Sequence, residues 1–321
     1  MPKVSVLVPI YKVEIYIERC ARSLFEQTLD DMEFIFVDDA SPDNSVQILR
    51  EVISCYPERE SQISIVRHNV NLGLAATRNT ALQIATGDFI AWCDSDDYVD
   101  SNMYKSLYEK VLQEKAEVAY CDFYMAYTFH NEYNKTLDEN RNKKIFVQQY
   151  LAQGWTVLWN MIVSRNLLLI HNLYSPQGIT YCEDFYLTVK ILFYADKIVK
   201  VNKAFYYYNR TNVASIMHHL CEKEANDERK VYLDTIKFFS DNDVLINYQR
   251  EMSWRILKNK QDFVLTPQLH CEFMNIYPES HQYIMSCPFC NRKIKLFMWM
   301  LTHGLRQPLL IILGLRKFLR R

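Results

Sequence analysis

Asp94, Asp96, Asp97 and Asp100 crowd together directly after an apolar run, Phe89-Ile90-Ala91-Trp92-Cys93. Carboxylates held within about 4–6 Å of one another raise each other's pKa and destabilise the fold unless positive charge sits among them. A divalent cation is the simplest remedy. Aspartate oxygens suit hard ions such as Mg²⁺ or Mn²⁺, which take few protein ligands and complete their shell with substrate phosphates. Side chains alternate across a strand, so Asp94 and Asp96, flanking Ser95 at a strand end, face one side. They could share one ion, or hold one ion and one ribose hydroxyl. The same residues could instead form an acidic turn capping a helix that starts near Ser101. Their place at the end of an apolar strand favours the metal.

Other segments carry related chemistry. Asp38-Asp39 closes another apolar run and could accept from ribose hydroxyls or a base imide, yet "DDASPDNS" is equally rich in turn formers, and both readings stand. "HNVNLGLAATRN" offers Gly73 for close backbone approach and Arg78 for a phosphate, against the plainer reading of a loop with a solvated arginine. An acidic site that binds a diphosphate needs a cationic side chain as well as a metal, which favours the first. Glu183-Asp184 opens a helical pattern, where acids complement the helix dipole. An acid from a separate segment is nevertheless required to activate a hydroxyl nucleophile, because carboxylates committed to a cation are poor proton acceptors. Cys287 and Cys290, with Cys271, His270 and His281 nearby, suggest zinc, but a structural site wants two spaced ligand pairs and incidental thiols fit better. Tyr206, Tyr207 and Tyr208 could stack on a sugar or simply alternate in a strand.

The elements that must position these groups alternate. Runs at 3–10, 32–39, 63–69 and 88–93 have strand character, separated by helical patterns at 13–27, 41–56 (Ser41 as N-cap, Pro42 first) and 74–86. This β-α rhythm predicts an α/β fold with a doubly wound, mainly parallel sheet and a ligand crevice beyond the carboxyl ends of its strands. Pro9 to Glu14, Asp38-Asp39, Asn69 to Asn79 and Asp94 to Asp97 all fall at those ends. A helix at 102–115 and a strand at 116–127 follow, then a polar loop from His130 to Lys144, strands in "WTVLWNMIV" and "AFYYYNR" around an acidic helix start, and helices from Ala225 onward.

Composition bounds the function classes. At 321 residues, 49% hydrophobic and 23% charged, the chain can bury a sizeable core, and its net charge of -1 gives no pull toward nucleic acid. Nine cysteines scattered through apolar runs, with no signal peptide at Met1, predict free thiols in a reducing cytoplasm. No apolar run is long enough to span a bilayer.

Taken in order and spacing, "VSVLVPIYKVEIYIERCARSLFEQT", "FIFVDDASPDNS", "NLGLAATRNTAL" and "GDFIAWCDSDDYVD" resemble the catalytic domain of glycosyltransferase family 2, of the GT-A fold. The resemblance is dense over 3–100 and looser through "LWNMIVSRNLL", "YCEDFYLTVKIL" and "YYYNRTNVAS". It implies a GT-A catalytic domain at 1–215, with a nucleotide-sugar half at 1–100 and an acceptor half at 101–215, and a helical C-terminal region at 216–321. It places nucleotide contacts on Pro9, Tyr11, Glu14 and Asp39, the metal on Asp96 with Asp94 divided between ribose and metal, and Ser95 between them. Arg78 and Arg210 fall near the diphosphate, and the general base falls on Asp184. Asn160 stands where the family commonly has lysine, and the pattern frays after Ser215, so acceptor recognition does not carry over.

The implied activity is inverting transfer from a nucleotide-diphosphate sugar, a UDP-sugar in particular, to a hydroxyl of a glycan or lipid-linked acceptor in cell-surface polysaccharide synthesis, with Mn²⁺ or Mg²⁺. A sugar-1-phosphate nucleotidyltransferase would need a glycine-rich loop after the first strand, where "PIYKVEIY" has none. A non-catalytic nucleotide-binding member would not need both Asp94-Ser95-Asp96 and Glu183-Asp184. The tail 291–321 carries eight Lys and Arg residues, among them Arg292, Lys293, Lys295, Arg306 and Arg316, and no acid. With Phe297, Trp299, Leu301 and 309–313 supplying apolar surface, it predicts peripheral attachment to the inner face of the cytoplasmic membrane, or else a C-terminal helical hairpin packed on the catalytic domain.

Overall fold

The computed structural model describes residues 1–155, 157–212 and 222–318. Its first hundred residues run β1 (Val4–Ile10), α1 (Ile17–Phe25), β2 (Met32–Asp38), α2 (Ser45–Ile53), β3 (Ile63–Arg67), α3 (Leu74–Ile84) and β4 (Phe89–Trp92). β1 lies between β2 and β4, parallel to both, with Ile10 opposite Asp38 and Leu7 opposite Trp92. That register brings the residues after β1, β2 and β4 to one edge. β1 and β2 are buried on both faces, as parallel strands covered by helices must be. α1 buries Ile17, Cys20, Ala21, Leu24 and Phe25, a stripe at helical spacing.

One local expectation fails. α2 starts at Ser45 with Asn44 as N-cap, so Ser41 and Pro42 precede the helix. The cause is Asp43, whose Oδ1 accepts from the Ser41 and Ser45 hydroxyls, both at 2.6 Å, and folds the segment into a turn; Ser41 Oγ in turn accepts from Lys12 N at 2.8 Å.

The chain continues through β5 (Tyr98–Val99), α4 (Met103–Glu114), β6 (Val118–Ala126), β7 (Asn131–Asn134), α5 (Lys143–Gln153), β8 (Met161–Ser164), α6 (Arg165–Ile170), α7 (Glu183–Tyr194) and β9 (Ile198–Asn209). The sheet order is β3-β2-β1-β4-β8-β6-β9-β5, with β7 paired to β6. The β3-β2-β1-β4 half is parallel; β8 runs antiparallel between β4 and β6, and β9 is parallel to β6. The segment expected as a polar loop, 130–144, therefore supplies strand β7 and the start of α5. Asp122 is the reason: it accepts from Tyr133 Oη at 2.5 Å and Thr136 N at 2.7 Å, and pairs with buried Lys200 at 2.8 Å. Among the described residues of "WTVLWNMIV" only the end is a strand, because Asn160 turns back to exchange bonds with the Cys121 backbone.

The chain divides into two units, Met1–Val147 with Trp155–Glu228, and Gln148–Gly154 with Arg229–Arg321. The sequence boundary at 215/216 lies outside the described residues. The second unit contains α9 (Leu245–Asn259), α10 (His270–Asn275), α11 (Arg292–Thr302) and α12 (Arg306–Phe318), following α8 (Glu222–Asp241), which begins in the first. Its core gathers Leu257, Phe273, Ile284, Phe297, Met298, Leu301 and Leu309. Phe297, Leu301 and Leu309 of the proposed membrane stripe thus face protein, and among the described residues there Leu296, Trp299, Leu305, Ile311 and Ile312 are exposed. Pro308 sits in the first turn of α12, where its missing N–H costs little. No helix among the described residues is long and apolar enough to cross a membrane.

Candidate active site

Beyond β4 the chain makes a tight turn in which Asp97 N donates to Asp94 O at 3.0 Å. The four acids expected to share one environment separate here. Asp97 points inward and is fully buried, accepting from Tyr206 Oη at 2.6 Å and Asn209 N at 2.7 Å. Asp100 leaves the cluster to accept from Asn102 N at the start of α4. Asp94 and Asp96 remain partly exposed on either side of buried Ser95. Asp96 Oδ2 accepts from Asn212 Nδ2 at 2.8 Å. Burial, and then the charge of Asp94, push the Asp96 carboxyl above its ordinary range.

Arg78 lies on the buried face of α3, a helix that starts after Gly73 at φ 88°, a backbone angle suited to glycine. The arginine is 2% exposed, and its guanidinium joins three carboxylates. Nη2 is 2.8 Å from Asp94 Oδ1; Nη1 is 2.7 Å from Glu183 Oε1 and also bonds Asp184 Oδ1. Cys182, at φ 68°, turns the chain into α7 so that both acids of its first turn meet the same nitrogen. Arg78 Nε is buried without a partner. Burial opposes the arginine's charge, but Asp184, Asp94 and Glu183 hold it more firmly protonated than a free arginine. Burial, then Asp184, pushes Glu183 up to about 8. Asp184 is also raised, by burial, with Arg78 opposing and Asp94 adding to the rise. It is burial that lifts the Asp184 carboxyl toward the range of a proton acceptor, while the Arg78 cation beside it works in the opposite direction.

The nucleotide-side candidates flank this network across the sheet. Asp39 Oδ1 accepts from His68 Nδ1 at 2.7 Å and Leu72 N at 2.8 Å, and Oδ2 from Gly73 N at 2.8 Å, so it ties the loop before α3 to the end of β2. Glu14 Oε2 accepts from Asn44 N at 3.0 Å at the start of α2. Pro9 lies within β1, and Tyr11 beyond it is exposed. Arg210 follows β9, its guanidinium 5.4 Å from the Tyr208 ring centre. Tyr208 and Tyr206 both stack on Trp159. The structure therefore joins Asp94, Arg78 and Asp184 directly and carries Asp39 and Glu14 on neighbouring loops. It also shows roles that the sequence left hidden: Asp97 as a buried hydrogen-bond acceptor, Tyr206 as a hydrogen-bonding group, and Asn209 and Asn212 as partners of the Asp94–Asp97 turn. Period-two alternation in "AFYYYNR" could have separated Tyr206 and Tyr208 from Tyr207, but not shown what their hydroxyls meet.

Among the described residues no three His, Cys, Asp or Glu side chains converge as a metal-holding group. Asp94 and Asp96 nonetheless fit a hard cation whose shell is completed by phosphate oxygens and water: both are oxygen donors, partly exposed at one end of the sheet, and burial followed by the charge of Asp94 raises Asp96. Cys287 and Cys290 lie with sulfurs 3.7 Å apart, while His281 faces Lys260 and His270 faces the Val264 carbonyl.

Comparison with known proteins identifies the family and the fold. The family model described as "Glycosyl transferase family 2" matches residues 5–166. The uncharacterized glycosyltransferase EpsJ of Bacillus subtilis (strain 168) is 30% identical over 249 residues, covering 75% of this chain and 70% of EpsJ. The crystal structure of S. aureus TarS 1-349 in complex with UDP-GlcNAc superposes with a TM-score of 0.71 at 19% identity, covering 95% of this chain and 92% of that one. The mannosyltransferase PcManGT from Pyrobaculum calidifontis, in complex with GDP-Man and Mn²⁺, gives a TM-score of 0.57 at 16% identity, covering 99% and 85%. At such identities the structural matches speak for the fold: a GT-A sheet with a helical C-terminal region.

Proposed function

The chain belongs to glycosyltransferase family 2, and from that premise we propose that it transfers a sugar, with inversion, from a UDP-sugar to a hydroxyl of a glycan or lipid-linked acceptor in cell-surface polysaccharide synthesis. The observation that carries this reading is the single guanidinium of Arg78 spanning Asp94, on the donor side, and Asp184, a buried acid on a separate helix. The binding of UDP-GlcNAc by TarS supports a UDP-sugar donor, and the Mn²⁺ of PcManGT supports a cation.

Asp184 takes the proton of the acceptor hydroxyl as that oxygen attacks the anomeric carbon in line with the departing diphosphate. Arg78 fixes the orientation of Asp184 relative to Asp94, and holding both substrates in one crevice supplies the entropic part. Glu14 and Asp39 contact base and ribose together with Pro9 and Tyr11, and Asp94 and Ser95 line the ribose-diphosphate side. Arg210 and Arg78 supply positive charge toward the diphosphate. Mn²⁺ or Mg²⁺, held by Asp96 and Asp94, supplies Lewis-acid stabilisation of the charge on the leaving group. The test is UDP release when purified protein is offered UDP-sugars with Mn²⁺ or Mg²⁺, against the same mixture with chelator.

The finer placement follows from the tail. Leu296, Trp299, Ile311 and Ile312 are exposed beside exposed Arg292, Lys293 and Arg306, in a segment with no acid. Arg316, Lys317, Arg320 and Arg321 lie outside the described side chains. Each basic residue near an anionic leaflet contributes about 1 kcal/mol, which supports peripheral attachment to the inner membrane face. Replacing exposed Arg292, Lys293 and Arg306 with glutamate should release the protein from anionic liposomes at low salt while leaving the core residues of this unit in place; a full-length protein that ignores such liposomes would count against attachment.

A further inference from the structure

The end of β9 grips the Asp94–Asp97 turn at every acid. The Tyr206 hydroxyl accepts from Asp94 N at 3.1 Å and donates to Asp97 Oδ2 at 2.6 Å. Asp97 Oδ1 accepts from Asn209 N at 2.7 Å, Asn209 Nδ2 donates to the Asp96 carbonyl at 3.0 Å, and Asn212 Nδ2 to Asp96 Oδ2 at 2.8 Å. Tyr206 is 0% exposed, and its ring lies flat on Trp159, 4.2 Å between centres, so its hydroxyl has little freedom.

We infer that Tyr206 and Asn209 are positioning residues that preset Asp94 and Asp96 to receive a cation carrying a nucleoside diphosphate, with Asp97 as their buried anchor. The inference rests on the function proposed above. Like-charged carboxylates on a free turn would splay apart. Fixing the Asp94 amide and the Asp96 carbonyl from β9 means that gathering them is completed on folding and not on binding, and preorganisation of this kind appears as affinity.

The test titrates full-length protein with UDP and Mn²⁺ by calorimetry, beside the Mn²⁺ dependence of UDP release. Tyr206→Phe keeps the ring on Trp159 and removes only the hydroxyl. Asn209→Ala removes only the bonds of its side chain, and serves if the first variant does not fold. Affinity for UDP with Mn²⁺ should fall about tenfold, or about 1.4 kcal/mol. The donor KM should rise in step while kcat at saturating Mn²⁺ stays within about threefold, because bound ligand restores the turn. Wild-type affinity in a folded variant, or lost kcat with unchanged affinity, would overturn the inference. So would failure of both variants to fold, which would mark them as core residues. Wild-type protein that binds no UDP with Mn²⁺ would instead overturn the function beneath it, and the inference with it.

Discussion

Arg78 decides more of this site than any acid does. Three carboxylates meet one guanidinium in a pocket where the arginine is 2% exposed, and the planar fork is what lets a single cation reach both Asp94 and the Glu183–Asp184 pair. Arg78→Lys keeps the charge but loses the span. Turnover should then fall by about 10²-fold, the scale at which misplaced catalytic groups cost rate, while UDP affinity stays within about threefold. An equal loss of UDP affinity and turnover would make Arg78 a phosphate ligand and not a brace. The acids were legible in the sequence because two carboxylates flanking one residue at a strand end have few uses. The brace was not. "TRNTAL" places Arg78 on a helix and says nothing of a partner more than a hundred positions later, so a solvated arginine or a phosphate contact was as much as it could suggest. Asp97 was hidden for the opposite reason: it stands among the acids and is the one that turns away from them.

The parallel half of the sheet was readable from β-branched runs alternating with amphipathic helices, each within a few residues of its observed bounds. In the second half α4, β6 and β9 were readable in the same way, but β7 and the antiparallel insertion of β8 between β4 and β6 were not, because they depend on pairings between distant segments. β7 exists only because Asp122 on β6 gathers Tyr133, Thr136 and Lys200, and the polar composition of 130–144 conceals that anchor. Asp122→Leu should therefore cost about 3–5 kcal/mol, the usual penalty for breaking a buried ion pair by removing one partner, and Asp122→Leu with Lys200→Met should recover most of it. Denaturant unfolding measures both; equal stability of the single and double variants would show that the pair does not act as one. The Asp122 carboxyl is held below its ordinary range: burial works against its charge, and Lys200 and Tyr133 outweigh that. A depressed folded-state pKa means that the unfolded chain binds more protons as pH falls. The stabilisation is full above about pH 4, the unfolded value, and is lost as pH drops through the folded one, a dependence the double variant should lack.

Across the whole molecule, the alternating pattern identified the α/β class and the helical C-terminal region, and the order of four short motifs identified the family. The division into units was harder to see, since the short stretch Gln148–Gly154 groups with helices some eighty residues further on. Acceptor recognition was also illegible, because the family's pattern frays after Ser215 and leaves no motif to carry it. What holds the proposal together is the division of labour between two groups of acids: Asp94 and Asp96 toward the donor, Asp184 toward the acceptor hydroxyl. Asp184→Asn separates them most directly, because it removes the proton acceptor and leaves Asp94 and Asp96 in place. With Mn²⁺ and a donor that the wild-type protein turns over, the variant should bind UDP as tightly as wild type while its turnover falls by about 10²–10⁴-fold, the usual contribution of a positioned base. Turnover near the wild-type rate in that variant would contradict the assignment and make Asp184 an ordinary acid at a helix start.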